Sequence, residues 1–143
     1  MSTVAMLPLY NAIHAKLSGN APLSTALGGR IRLIEAAQDE ALPLLVFTPT
    51  QGVPERFFAG GSGDDSEDVI LSFNIDMYGN AEASKPEALV GIHDLVIALL
   101  DCKNLAATGY DNAHTKADSY GNLSKEDAGY RITSQWRLTA TPA

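Results

Sequence analysis

Asp68–Asp101 reads DVILSFNIDMYGNAEASKPEALVGIHDLVIALLD, and its two halves carry two different hydrophobic periods. In the first half apolar and polar residues alternate, and the apolar ones are Val69, Leu71, Phe73, Ile75 and Met77. Because successive side chains of a strand point to opposite faces, this half predicts a strand with one buried face. In the second half the apolar residues after Pro86 recur at helical spacing, namely Leu89, Ile92, Leu95, Val96, Leu99 and Leu100. The stretch therefore predicts a helix packed on a sheet.

The composition is that of an ordinary globular domain. The chain has 143 residues, 45% of them hydrophobic and 19% charged, enough for one domain with a core of its own. Its net charge of −7 argues against a protein that binds nucleic acid by neutralising phosphates. The single cysteine, Cys102, cannot form an internal disulfide, which favours a reducing compartment. No apolar run approaches the roughly 20 residues that span a bilayer, and no signal-peptide pattern opens the chain, so we expect a soluble, cytoplasmic product.

Weaker patterns surround the central stretch. They predict a helix over Val4–Leu17, a further helical turn over Pro22–Leu27, and a short strand over Arg30–Ile34 with Ile31 and Leu33 inward.

A continuous apolar run predicts another strand over Leu44–Thr48. Pro49 lacks a donor for a central ladder, so we expect it at the strand's end or on a sheet edge. Residues 51–68 are rich in glycine and acids and predict a long mobile loop.

The last third of the chain contains one further clear strand. In Tyr130–Ala140, the residues Tyr130, Ile132, Trp136 and Leu138 share one face. The polar segment Tyr110–Tyr120 predicts an edge strand in part, and Gly121–Gly129 a turn or loop. The predicted fold is a single α+β domain over residues 1–143, with a mainly antiparallel sheet and two main helices packed on one face.

No residue set predicts catalysis or ligand binding by a known motif. The acidic cluster of the loop lacks the alternating oxygen ligands of a calcium loop, so a solvated loop is favoured. Gly60–Gly63 is followed by acids rather than by the lysine and helix of a phosphate-binding loop. His14, His93 and His114 share no ligand spacing and are predicted to be surface or boundary residues. Cys102 has no obvious base nearby and is expected to act as a small buried hydrophobe.

The polar faces of the two clear strands allow two interpretations. Ser72, Asn74 and Asp76 lie on one strand, and Arg131, Gln135 and Arg137 lie on the other. They form either a plain solvated sheet face or a subunit interface, in which complementary charges fix register and partner choice.

Taken in order, these elements resemble the tail-terminator, or tail-completion, family of long-tailed bacteriophages. The resemblance rests on the order and spacing of six segments, which are Leu9–Leu17, Ala21–Ile31, Asp39–Pro43, Phe73–Tyr78, Ala88–Leu100 and Tyr130–Ile132.

The resemblance implies a non-enzymatic assembly protein that needs no cofactor or metal. Six copies of such a protein form a ring on the end of the tail tube, which stops tube elongation and offers the surface for head attachment. It further implies a virion protein at the head-proximal end of the tail, assembled in the host cytoplasm, that contacts the tail tube protein and the head–tail connector. DNA passes through such a ring without specific binding.

The candidate interface or lumen residues come from the acidic loop and the two polar strand faces. They are Asp64, Asp65, Glu67, Asp68, Asn74, Asp76, Arg131, Gln135 and Arg137. Two other functions fit the same elements: a head-side neck or connector protein, and a small ligand-binding or enzymatic α+β domain. A pocket with converging polar groups would favour the ligand-binding domain.

Overall fold

The computed structural model describes residues 5–34, 42–58, 65–80, 86–126 and 129–142, of which 53–58, 65–67, 80 and 126 are described by their backbone alone. Its helices are α1 (Leu7–Ser18), α2 (Ala21–Leu27) and α3 (Pro86–Leu100). Its strands are β1 (Ile31–Leu33), β2 (Leu44–Phe58), β3 (Asp65–Asn80), β4 (Lys103–Asn104), β5 (Tyr110–Ser119), β6 (Leu123–Glu126) and β7 (Gly129–Pro142). In the described part of the chain, no helix is both long and apolar enough to cross a membrane.

One mixed sheet contains all of these strands, in the order β1-β2-β3-β7-β5-β4, and β6 also pairs with β7. The β1–β2 pair is parallel, and the other pairs are antiparallel. β5 and β6 follow one another along the same side of β7, because β5 covers its second half and β6 its beginning. The predicted α+β class with a mainly antiparallel sheet is confirmed.

The helices cover one face of this sheet, and the core lies between the two layers. From β3 and β7 the core takes alternate residues, among them Phe73, Ile75, Trp136 and Leu138, each 1% exposed or less. α3 contributes the stripe Leu89, His93, Val96 and Leu100, and α1 contributes Leu9, Ala12, Ile13 and Leu17. Each fully buried large apolar side chain stabilises the fold by about 1.5–3 kcal/mol, so this interface dominates the energetics.

The prediction of a long loop over residues 51–68 is wrong for most of that segment. β2 runs on to Phe58 and β3 begins at Asp65, so the two strands form a hairpin whose register reaches Phe58 opposite Asp65. Strand pairing uses backbone groups, so a polar, glycine-containing segment extends a ladder that a buried strand has already started. The glycine-rich centre, with Asp64, lies outside the described residues.

Pro49 lies on the sheet edge, as one of the two predicted alternatives has it. β1 pairs with β2 only from Leu45 to Phe47, so Pro49 has β3 as its neighbour on one side and no described strand on the other. A register shift follows directly between Pro49 and Gln51, which is the irregularity expected where a residue donates no hydrogen bond.

Two other predictions need correction. Gly121–Gly129 is not only a turn or loop, since β6 lies within it and pairs with β7. The alternation of apolar and polar residues in β6 is too short to be recognised in the sequence. In β1, Ile31 is buried but Leu33 is 38% exposed, because the strand ends there at the margin of the sheet.

The turn between β5 and β6 passes close to the backbone of β7 at Gly121. This residue has φ +72°, and a Cβ placed on it would overlap the carbonyl oxygen of Thr133. We expect Gly121→Ala to lower the free energy of unfolding by on the order of 2 kcal/mol or more, measured by urea titration. Gly109→Ala is the matched control, since Gly109 also has positive φ (+85°) but nothing within 4 Å of its Cβ position. Equal losses for both variants would show that backbone strain alone acts, and that the contact with Thr133 does not matter.

Candidate interaction surface

The sheet face opposite the helices is polar, and it gathers most of the candidate residues. The antiparallel register of β3 and β7 places Ser72 opposite Arg137, Asn74 opposite Gln135, and Asp76 opposite Thr133. Directly opposite residues share a face and have neighbouring side chains. The predicted set Asn74, Asp76, Arg131, Gln135 and Arg137 therefore comes together on one surface, which we call the polar sheet face.

The acidic residues of the hairpin do not join this group in the described structure. Asp68 is half-buried and stands opposite Glu55 of β2, beyond the last β3 residue that pairs with β7. Asp65 and Glu67 are among the first residues of β3, and the structure describes them by their backbone only.

Asp76 is the centre of a fixed hydrogen-bond group on the polar sheet face. Arg131 donates to Asp76 Oδ1 from Nη2 at 2.9 Å and from Nε at 3.3 Å, and Thr133 Oγ1 donates to the same oxygen at 2.6 Å. The guanidinium carbon of Arg131 also lies 5.5 Å from the centroid of the Tyr78 ring. The side chain of Asp76 is only 13% exposed. Charge-assisted hydrogen bonds to a largely covered carboxylate hold Arg131 and Thr133 in place, and the Tyr78 ring packs on the guanidinium of Arg131.

A second ion pair borders a shallow concavity on the same face. Arg137 Nη2 donates to Asp118 Oδ1 at 2.9 Å, with both side chains substantially exposed. The concavity, of about 340 Å³, is lined on its polar side by Thr50, Ser72, Asn74, Asp118 and Gln135. Its amides and hydroxyls offer hydrogen bonds in both directions, whereas its charges are already paired. Among the described residues, no group of three acid, histidine or cysteine side chains is placed to hold a metal ion.

The prediction that His93 is a surface or boundary residue is wrong, because its side chain is buried. Its Nε2 lies 3.1 Å from Ser134 Oγ, and Trp136 Nε1 donates to the same oxygen at 2.8 Å. Burial lowers the pKa of His93, and the nearby Asp94 carboxylate partly opposes that shift. The sequence signal was available, since His93 follows Leu89 by four residues and precedes Val96 by three, on the apolar stripe of α3.

The remaining histidines follow the prediction, and Cys102 does not. His14 is exposed, and His114 Nδ1 lies 3.0 Å from Asn104 Oδ1 in a half-exposed position. Cys102 is exposed at the end of α3 with φ +54°. The left-handed turn that ends the helix points this side chain to solvent, while Asp101 beside it accepts hydrogen bonds from Tyr120 OH and from the Ala117 amide. These bonds lower the pKa of Asp101, Tyr120 contributing most.

Comparison with known proteins shows the fold. No family model and no curated protein matches the chain in sequence. Two solved structures match almost the whole chain. A chain of the virion of a native gene transfer agent particle has a TM-score of 0.68 at 13% identity and covers 97% of this chain and 99% of its own length. A second solved chain has a TM-score of 0.68 at 12% identity, with 96% of each chain covered.

The buried His93 makes stability depend on pH. Because its pKa is lower in the folded than in the unfolded chain, the unfolded state binds more protons as the pH falls below the ordinary value of 6.5. The contribution of neutral His93 is fully present above that value and decreases as the pH falls toward the folded pKa. We expect urea titrations between about pH 8 and pH 5 to show this loss, and His93→Gln to lack it. Parallel stability curves for the two proteins would contradict the assignment.

The two ion pairs of the polar sheet face should differ in their effect on stability. Asp76→Ala removes the shared acceptor of Arg131 and Thr133, so we expect a loss of about 1–2 kcal/mol in the free energy of unfolding. Asp118→Ala is the matched control, because it breaks a more exposed pair and should cost less than about 0.5 kcal/mol. Losses of the same size, in urea titrations of both variants, would contradict the central position of Asp76.

Proposed function

We propose that this chain is a non-enzymatic structural protein of a phage-like virion, a tail terminator that forms a ring on the end of the tail tube. The ring stops tube elongation and provides the surface for head attachment. The observation that carries this proposal is the fold, shared from end to end with a chain of a gene transfer agent virion. The order and spacing of the sequence elements support it independently, since they resemble the tail-terminator family.

The polar sheet face suits a protein partner more than a small reactive substrate. Its charged residues are already paired within the chain, as Arg131 with Asp76 and Arg137 with Asp118. What the face offers outward is the side-chain amides of Asn74 and Gln135 and the hydroxyls of Thr50 and Ser72. Such a surface selects register and orientation when it docks. We assign it to contact with the tail tube protein or with the head–tail connector, at the head-proximal end of the tail.

The overall charge fits a ring through which DNA passes. The net charge of −7 gives the chain the same sign as the phosphate backbone. Binding to DNA by counterion release needs clustered basic side chains. DNA therefore crosses the ring without being held by it.

A second candidate function has one observation in its favour. The concavity beside Asn74, Asp118 and Gln135 has a volume within the range of small-ligand sites, about 340 Å³. A ligand-binding domain would use these convergent polar groups. The two candidate functions predict different oligomeric behaviour of the purified protein, since a ligand-binding domain has no need to form rings.

We expect purified protein to form closed rings as its concentration rises. Light scattering across a concentration series measures the solution mass, and negative-stain images show whether the large species has a central channel. Rings of a single size, alone or on addition of the cognate tube protein, support the tail-terminator proposal. A protein that stays monomeric under both conditions contradicts it and directs attention to the concavity.

A further inference from the structure

The buried hydroxyl of Ser134 lies within hydrogen-bond reach of three different groups. Trp136 Nε1 is 2.8 Å from Ser134 Oγ, His93 Nε2 is 3.1 Å away, and the carbonyl oxygen of Ile75 is 3.5 Å away. Ser134 itself has no exposed surface. A single hydroxyl on β7 therefore connects to α3 through His93 and to β3 through Ile75, in the middle of the core.

The donor and acceptor capacities of these groups limit how they can be paired. An indole N–H only donates, so one lone pair of Ser134 Oγ accepts from Trp136. The hydroxyl has one proton of its own, which goes either to His93 Nε2 or to the carbonyl oxygen of Ile75. Nε2 is the closer of these two acceptors. In neutral His93 the hydroxyl therefore donates to Nε2, and the ring carries its own proton on Nδ1.

The Nδ1 side of the His93 ring reaches the surface. Nδ1 makes no hydrogen bond with the described residues, and no fully buried side-chain nitrogen or oxygen in that part of the chain lacks a partner. Nδ1 is therefore not fully buried, and it lies within the 4% of His93 that is exposed. Water can hydrate an N–H at this position, so Nε2 is the only ring nitrogen that depends on the protein for a partner.

Uptake of a proton by His93 changes the pairing without leaving an atom unpaired. In the protonated ring both nitrogens carry a hydrogen and both donate. Nε2–H then needs an acceptor, and the second lone pair of Ser134 Oγ provides one once the hydroxyl proton has turned to the Ile75 carbonyl. A hydrogen bond from a charged donor is about twice as strong as one between neutral groups. The reversed bond thus offsets part of the cost of a charge in the core.

The charges around His93 do not oppose this proton. Helix α3 packs against α1, α2, β3, β4, β5 and β7. No buried side chain that the structure describes on α1, α2, β3, β5 or β7 is acidic or basic. β4 carries Lys103, which is exposed and lies past the C-terminal end of α3. The charge that acts on the ring is the Asp94 carboxylate beside it, which favours the protonated form.

We propose that His93, Ser134 and the Ile75 carbonyl form a pH-sensitive hydrogen-bond switch, in which uptake of one proton by His93 reverses its bond with Ser134. At a pH above the titration of His93, the Ser134 hydroxyl donates to Nε2 and links β7 to α3. Below it, Nε2–H donates to Ser134, and the hydroxyl links β7 to β3. The helix stays attached in both states. The switch is a property of the core and does not depend on the proposed ring.

Nuclear magnetic resonance of the folded, 15N-labelled protein tests the switch directly. Two-bond 1H–15N correlation spectra distinguish a ring protonated on Nδ1, a ring protonated on Nε2, and the imidazolium. At about pH 8 we expect His93 to be protonated on Nδ1 alone. In mild acid we expect the imidazolium, while the amide signals of α3 stay at native positions. The exposed His14 is an internal reference in the same spectra.

The indole signal of Trp136 gives a second readout. Trp136 is the single tryptophan of the chain, so its Nε1–H resonance is assigned without ambiguity. The Ser134 oxygen that accepts this N–H changes its other partners when His93 is protonated, so the resonance should shift with the same midpoint as His93. We expect His93→Gln to abolish the shift. His14→Gln is the matched control at an exposed histidine and should leave the shift unchanged.

Ser134→Ala removes the hydroxyl at little change in volume. The protonated ring then loses a charge-assisted bond and the neutral ring a weaker one, so we expect the proton affinity of His93 to fall roughly tenfold. The spectra of the unmodified protein decide the question even if this variant fails to fold.

Three results would overturn the switch. The first is a His93 ring protonated on Nε2 at high pH, and the second is protonation that occurs only together with unfolding. The third is an indole shift that persists in His93→Gln.

Discussion

The register between β3 and β7 is the constraint on which the rest of the structure depends. Twelve consecutive pairs, from Val69 opposite Ala140 to Asn80 opposite Gly129, lock the two central strands together. A slip of one residue would turn every side chain to the other face. In the observed register Phe73, Ile75, Trp136 and Leu138 all meet the helices, and Asp76 meets Thr133 and Arg131 on the opposite side. The core and the polar sheet face are thus two results of the same pairing.

A small group of hydrogen-bonded polar side chains inside the core fixes the position of a helix on the sheet. Ser134 occupies a core-facing position of β7, and its hydroxyl joins Trp136 from the same strand to His93 from α3. Apolar packing is non-directional, whereas a hydrogen bond has a required geometry. A buried hydroxyl that must be satisfied fixes one position of α3 relative to β7, because any other leaves polar atoms without partners.

The sequence predicted those parts of the fold that are set by hydrophobic period. The alternation in β3 and β7 and the stripe of α3 gave the layers, the class and the polar face with Asn74, Asp76, Arg131, Gln135 and Arg137. What it missed is set by backbone pairing and by tertiary position. The hairpin beyond Gln51 has no apolar signal of its own, and β6 is too short for a period to show. His93 is polar by its chemistry, which favours the surface, but its spacing from Leu89 and Val96 places it on the buried stripe of α3.

The paired charges of the polar sheet face bear on how it responds to the solvent. Dissolved salt weakens interactions between exposed, unpaired charges separated by more than about 8–10 Å, and acts far less on covered pairs. Asp76 and Arg131 neutralise each other within one chain before any partner arrives. The Asp76–Arg131 end of this face therefore responds less to ionic strength than the more exposed Arg137–Asp118 pair. The net charge of −7 gives the chain the sign of a phosphate backbone, so in the ring proposed above repulsion of DNA would be strongest in dilute buffer.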